Sequence, residues 1–396
     1  MSSDAHNFHD ESDLWLMPGG PLQQYCARAR TIRALADPVH RGIAALIVVT
    51  WVPLAILTLV TGLMPGNVTV PFLKDLDAHL RLLVVMPLLV GAEHVVDEHI
   101  RTIVRQFRIR GLIPPQDRLR MDAFIASNMR LKKSVTIEVL MLVLAFVVGY
   151  WLWHHSIALH VSTWYAIPDV GRIHLTLPGM WYVFLCLPLF RFLLLRWYFR
   201  LALWYRFLWQ VSSIRLLLSP LHPDRAGGLS FLSGSTIAFA PLPLAHTVLM
   251  SAIIGNRIWH EGAILPQFKV EIAAILAVLV AMVFLPLAFF TPQLAKARRE
   301  GTREYGAFAS RYVREFQDKW RQSGDSKGES PLGSGDIQSL ADMGNSFDVV
   351  REMGALPVGR KTVMMFVVLI VLPLAPLALT MVPLNQIVEK ALMLMV

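Results

Sequence analysis

Runs of about twenty apolar residues constrain this chain more than any other feature of its sequence. A helix rises about 1.5 Å per residue, so a run of that length crosses the roughly 30 Å hydrocarbon core of a bilayer. Such runs recur near 43–64, 80–99, 135–153, 181–208, 233–254, 270–290 and 363–382. The chain is 55% hydrophobic and 16% charged, against about 25% charged residues in soluble domains. A water-soluble domain and a disordered chain are both excluded. The pattern predicts an all-α polytopic transmembrane helix bundle of about seven spans. Six or eight follow if the second is re-entrant or the fourth divides. Two cysteines, Cys26 and Cys186, cannot supply a disulfide framework.

Charge between the runs predicts the threading. Segments 1–42, 101–133 and 294–361, with the turn after the fourth run, carry 27 Lys and Arg outside the spans against 6 in the opposite loops. The positive-inside rule makes the basic side cytoplasmic, with the N-terminus in and the C-terminus out. The net charge of +9 is then an orientation signal. No nucleic-acid module surrounds the basic residues, so the bilayer is the expected partner and nucleic acid is not. The opening MSSDAHNFHDESD has neither a basic start nor an apolar run behind it, which predicts a retained tail over 1–42 and no cleaved signal.

Beyond the 43–293 bundle, helical structure is expected on the cytoplasmic side. One piece is the 101–133 loop. The other is a hairpin over 294–361, ahead of the last span and outer C-terminus at 362–396. Leu294, Ala297, Gly301, Tyr305, Phe308, Tyr312, Phe316 and Trp320 fall at steps of three and four, a single helical stripe. A Ser- and Gly-rich break at 323–336 precedes a second short amphipathic helix through Val350. The stripe is expected to pack within the hairpin or on the 115–131 helix. Docking of a protein partner or a second copy through 294–353 is the alternative.

Ionisable groups at membrane depth cost about 2.5–3.5 kcal/mol each and therefore need partners or a task. The second run ends in Glu93, His94, Asp97, Glu98, His99 and Arg101. Glu93 and Asp97 share one helical line, and His94 and Glu98 an adjacent one. Carboxylates beside imidazoles suit a proton relay or a divalent-ion site, although Arg101 and Arg105 can also neutralise them. The fourth run holds Arg191, Arg196, Arg200 and Arg206. Arg200 and Arg206 are expected to snorkel to headgroups, and Arg191 and Arg196 to face the bundle, with Glu93 or Glu138 as counter-ions. The third place is the turn Leu221-His-Pro-Asp-Arg-Ala-Gly-Gly-Leu229. Its Pro, Gly and Asp residues are those of a rigid turn. A gating or headgroup role would fall to His222, Asp224 and Arg225.

Weaker signals complete the inventory. His154, His155, His160 and His174 match no zinc spacing and read as interfacial, leaving open whether a metal binds there. His246 reads as a hydrogen-bonded bundle residue. No hydrolase, zincin, P-loop or dinucleotide fingerprint is present, so no cofactor is expected and an enzyme is the poorer reading.

LHPDRAGGLSFL (221–232), NRIWHEG (256–262), residues 290–320 and GSGDIQSLADMGNSFDVVREM (333–353) together resemble a group of bacterial polytopic membrane proteins. The resemblance covers about the C-terminal half. It implies a bacterial inner (cytoplasmic) membrane and no particular activity. Prolines inside most spans and charges within two of them favour an ion channel or secondary transporter. A scaffold or signalling protein acting through its cytoplasmic helices, or a lipid-acting enzyme, are the alternatives.

Overall fold

The computed structural model describes residues 38–64, 68–156, 162–169, 172–322 and 335–381. The tail up to residue 37, most of the Ser- and Gly-rich break and the C-terminal residues beyond 381 lie outside them. The chain is a multi-pass membrane protein built from helices. Six described helical stretches are long and apolar enough to cross a bilayer, and a shorter apolar one adds a seventh. They are α1 (Pro38–Val60), α2 (Leu76–Ile109), α4 (Val135–Ser156), α5 (Leu177–Ser212), α6 (Ser230–Glu261), α7 (Lys269–Phe284) with its continuation, and α10 (Arg360–Val371), which runs on irregularly to Met381. The short α3 (Arg118–Lys132) lies between α2 and α4.

Alternate spans run in opposite directions, which leaves one basic end and one far end. Val139, Leu140, Val143, Phe146 and Val147 of α4 are all exposed. In water such a surface would aggregate; in hydrocarbon it meets its own kind. The buried side instead holds large interlocked residues, among them Met86, Leu89, Phe107, Trp197, Phe207 and Phe290.

The second run does not re-enter. It is one helix of 34 residues, α2. Its far-end start is capped by Asp75, whose carboxylate accepts the Ala78 N–H, and α5 starts likewise on Thr176, which accepts from Gly179. Both helices then widen into a π turn, over Arg81–Val85 in α2 and Tyr182–Cys186 in α5. Pro87 and Pro188 explain it. Each lacks an N–H, and its ring crowds the carbonyl four residues back, at Leu83 and Phe184. The helix relieves the crowding with a longer bond, Met86 N–H to Arg81 O and Leu187 N–H to Tyr182 O. Residues 76, 81, 86 and 87 of α2 thus correspond to 177, 182, 187 and 188 of α5, although little of the sequence between repeats.

At the far end a β-hairpin, β1 (Ala166–Asp169) with β2 (Arg172–Leu175), stands between α4 and α5. At the basic end, Pro286 turns α7 through a 3₁₀ stretch, Leu285–Phe290, into α8 (Thr291–Gln317). Pro292, in the first turn of α8, does not interrupt that helix. Helix α9 (Gly335–Arg351) folds back along α8. Gly301 is the point of closest approach: a Cβ there would meet Pro220 at 2.6 Å and Val350 at 3.1 Å. Much of the stripe is thereby used inside the hairpin, with Phe347 against Gly306, while Phe308 stays exposed.

Candidate functional site

Among the described residues, two polar sites stand out inside the bundle, at different depths along α2 and α5. The inner one is an ion-pair network. Arg196 and Arg200, one helical turn apart, straddle the acidic line of α2. Arg196 Nη2 lies 3.0 Å and Arg200 Nη2 3.3 Å from Glu93 Oε1. Arg200 also donates to the Glu93 carbonyl at 3.2 Å and reaches Asp97 at 3.6 Å, where Lys132 Nζ sits at 3.0 Å. Glu93 is only 6% exposed, and its Oε1 is held by the charge of the two guanidiniums without a well-aligned hydrogen bond. Arg200 therefore does not snorkel. Its register with Arg196 commits it to the bundle, and Arg206 donates instead to Ser127 Oγ at 2.9 Å. Glu138, also buried, lines a crevice with Arg196 and Arg200.

Beside this network a cavity of about 40 Å³ is bounded by Asp97, Lys132, Arg200, Asn128 and Trp204, room for a single water. Asn128 Oδ1 and Trp204 Nε1 are buried there without a protein hydrogen-bond partner, an acceptor and a donor placed to hold it. His94 and Glu98 do not join. They are exposed on the other face of α2, as is His99, whose Nδ1 bonds the Val95 carbonyl at 2.8 Å. The facing set is thus acid with guanidinium and ammonium, not acid with imidazole. Among the described residues no group of three or more His, Cys, Asp and Glu could hold a metal. His154, His155 and His160 lie outside the residues whose side chains are described.

The outer site is a cavity of about 330 Å³ that opens at the far end. Its back wall is the pair of π turns, each placing its first residue, Arg81 or Tyr182, on the lining. The acids near it are already engaged. Asp75 accepts from Trp164 Nε1 and Asn256 Nδ2, both at 2.8 Å, and Asp77 is clasped by Arg81 at 2.6 Å. Tyr165 lines the mouth, and burial pushes its hydroxyl up to about 12, so it is a hydrogen-bond donor and not an anion at neutral pH. Arg191 completes the lining. Its guanidinium presses on Gly149 of α4, in space that any larger residue would fill. Neither Glu93 nor Glu138 pairs with it; Arg196 takes Glu93.

The turn motif is a separate, saturated structure. Asp224 accepts the N–H groups of Ala226 (2.9 Å), Gly228 (3.1 Å) and Ser230 (3.1 Å), with His222 Nδ1 at 2.9 Å. Burial alone would raise the carboxyl, but these backbone donors outweigh it and hold Asp224 below its ordinary value. Arg225 adopts φ 54° and pairs with Glu352 at 2.7 Å, while its carbonyl accepts the Gly354 N–H. Arg225 thus ties the segment after α9 to this turn, which Asp224 and His222 hold in shape.

Comparison of the chain with known protein families, curated proteins and solved structures finds no match. Sequence reasoning overlooked Asp75, Asp77, Arg81, Tyr165 and Tyr182. The available signal was the recurrence of a proline eleven residues after a capped helix start, Leu76 to Pro87 and Leu177 to Pro188.

Proposed function

We propose that the protein is a secondary transporter of the bacterial cytoplasmic membrane, basic end inside. The far-end cavity is its outward-facing binding site, and the Glu93–Arg196–Arg200–Asp97–Lys132 network is its inner gate. One observation carries this reading: a polar cavity inside the bundle is lined by two spans that are interrupted at corresponding positions. Interrupted helices flanking a polar pocket are how carriers seat a solute between two gates. From Arg81 to Glu93 is about 18 Å along α2 at 1.5 Å per residue. Leu89 and Trp197 close that interval, with Trp197 Nε1 donating to the Leu89 carbonyl at 3.0 Å.

An ion channel is the second reading, because the same network would serve as a closed constriction. Purified protein in sealed proteoliposomes separates the two. A carrier gives saturable uptake accelerated by solute on the opposite side, lost in Arg191→Gln and altered in Glu93→Gln. A channel gives conductance without counterflow. Vesicles carrying the wild type that behave like empty ones toward organic anions, organic cations and inorganic ions would remove both readings. In that case the exposed Phe308 face of α8 would recommend the scaffold alternative.

A further inference from the structure

We infer that the far-end cavity binds a small organic oxyanion, a carboxylate or a phosphate ester, with Arg191 as the residue that recognises it. This rests on reading the cavity as the transporter's ligand site and goes on to name the ligand's chemistry. Three observations carry it. Arg191 lies within a span, half-buried, and makes no hydrogen bond or ion pair with any described residue. A guanidinium at that depth without a counter-charge is costly, and an anionic ligand supplies what the fold withholds. The acids that might have neutralised it are engaged elsewhere, Asp75 by Trp164 and Asn256 and Asp77 by Arg81. Glu261 stands exposed at the rim.

The space around Arg191 is also built. Buried Gly149 leaves room where the guanidinium lies, and Arg81, which lines the same cavity, has its Nε buried without a hydrogen-bond partner. A guanidinium presents paired donors that match the two oxygens of a carboxylate or phosphate, which a point charge does not. Val183, Leu187 and Ile253 give the cavity an apolar side, where the carbon body of the ligand would rest. At about 330 Å³ the volume sits at the small end of organic-ligand pockets.

Isothermal titration of the full chain in phosphatidylcholine nanodiscs tests this with butyrate, benzoate, inorganic phosphate and glycerol 3-phosphate, and with choline as the cationic control. At least one oxyanion should bind saturably and choline should not. Arg191→Gln should weaken that binding about tenfold or more, the loss of one charge-assisted contact. Gly149→Ala, which keeps the charge but displaces the guanidinium, should weaken it as well, and Arg206→Gln should leave it within about twofold. Repeating the titration in phosphatidylglycerol nanodiscs identifies the source. Competition by the lipid assigns the site to a headgroup phosphate, and unchanged binding assigns it to a free solute. No oxyanion binding to wild type, or equal binding to Arg191→Gln, overturns the inference. Saturable cation flux without oxyanion binding would remove it and keep the transport reading; oxyanion binding at Arg191 without flux would do the reverse.

Discussion

Removing the charge of Glu93 tests whether the inner network is held together by its electrostatics. Glu93→Gln is nearly isosteric, so little packing is lost. The carboxylate that both Arg196 and Arg200 approach, at 3.0 and 3.3 Å, becomes a neutral amide. Glu93, Asp97 and Glu138 then no longer balance Arg196, Arg200 and Lys132, and one cation is left over. Arg196, Arg200 and Glu93 are all at least 87% buried as side chains, being 13%, 9% and 8% exposed. Breaking a pair so enclosed by deleting one partner costs about 3–5 kcal/mol, far above the ~1 kcal/mol ceiling of surface pairs. Arg196→Gln should cost a similar amount, and the double variant less than the two together, with a coupling of about 1–3 kcal/mol. Equilibrium unfolding in lipid nanodiscs by steric trapping gives all three values on one scale. A Glu93→Gln loss below about 0.5 kcal/mol, or strict additivity in the double variant, would refute the network.

Asp224→Ala removes the acceptor of three backbone N–H groups and should destabilise the chain by about 3 kcal/mol, at roughly 1 kcal/mol per bond. Because Asp224 titrates below its ordinary value when folded, its contribution is complete above the unfolded carboxylate pKa, about 3.9. It is lost as pH falls through the depressed folded value. A variant whose melting curves show the same acid sensitivity as wild type below pH 4 would contradict this. Gly301→Val places a side chain into Pro220 and Val350 and should cost about 1–3 kcal/mol by overpacking. Hydrogen exchange should quicken across α9 while the spans keep their protection; unchanged exchange in α9 would show that the hairpin does not dock there. Pro188→Ala lets α5 close its widened turn, so stability should hold or rise while binding at the far-end cavity weakens. Undiminished binding would separate the π turn from the site.

Much of the fold is legible in the sequence because hydrocarbon is an unforgiving solvent. Each span is an apolar run of the required length, and the loops between them sort by charge. The α8–α9 hairpin shows in its aromatic spacing for the same reason, since burial of one face imposes a helical period. The pairing of Arg196 with Glu93 follows from register once α2 and α5 are known to adjoin, but adjacency is tertiary and no run of residues states it. Arg200 departs from the snorkelling expectation because the sequence of one helix does not fix the depth of its side chains. The acids that hold it inward lie on another. The far-end cavity was hidden more deeply. Asp75, Tyr165 and Asn256 come from three separate segments, and a π turn leaves the apolar pattern around it intact.

Accessibility of one cysteine in the far-end cavity tests the account most directly. Cys26 and Cys186 are first replaced by serine, Val183 of the cavity lining is changed to Cys, and Phe308→Cys on exposed α8 marks the basic end in a second variant. Membrane-impermeant maleimide is then applied to right-side-out and inverted vesicles. The account predicts that Val183→Cys reacts from the side opposite to Phe308→Cys, and that a bound oxyanion slows the reaction. Labelling of both cysteines from the same side, or a Val183→Cys that no reagent reaches from either, would contradict it.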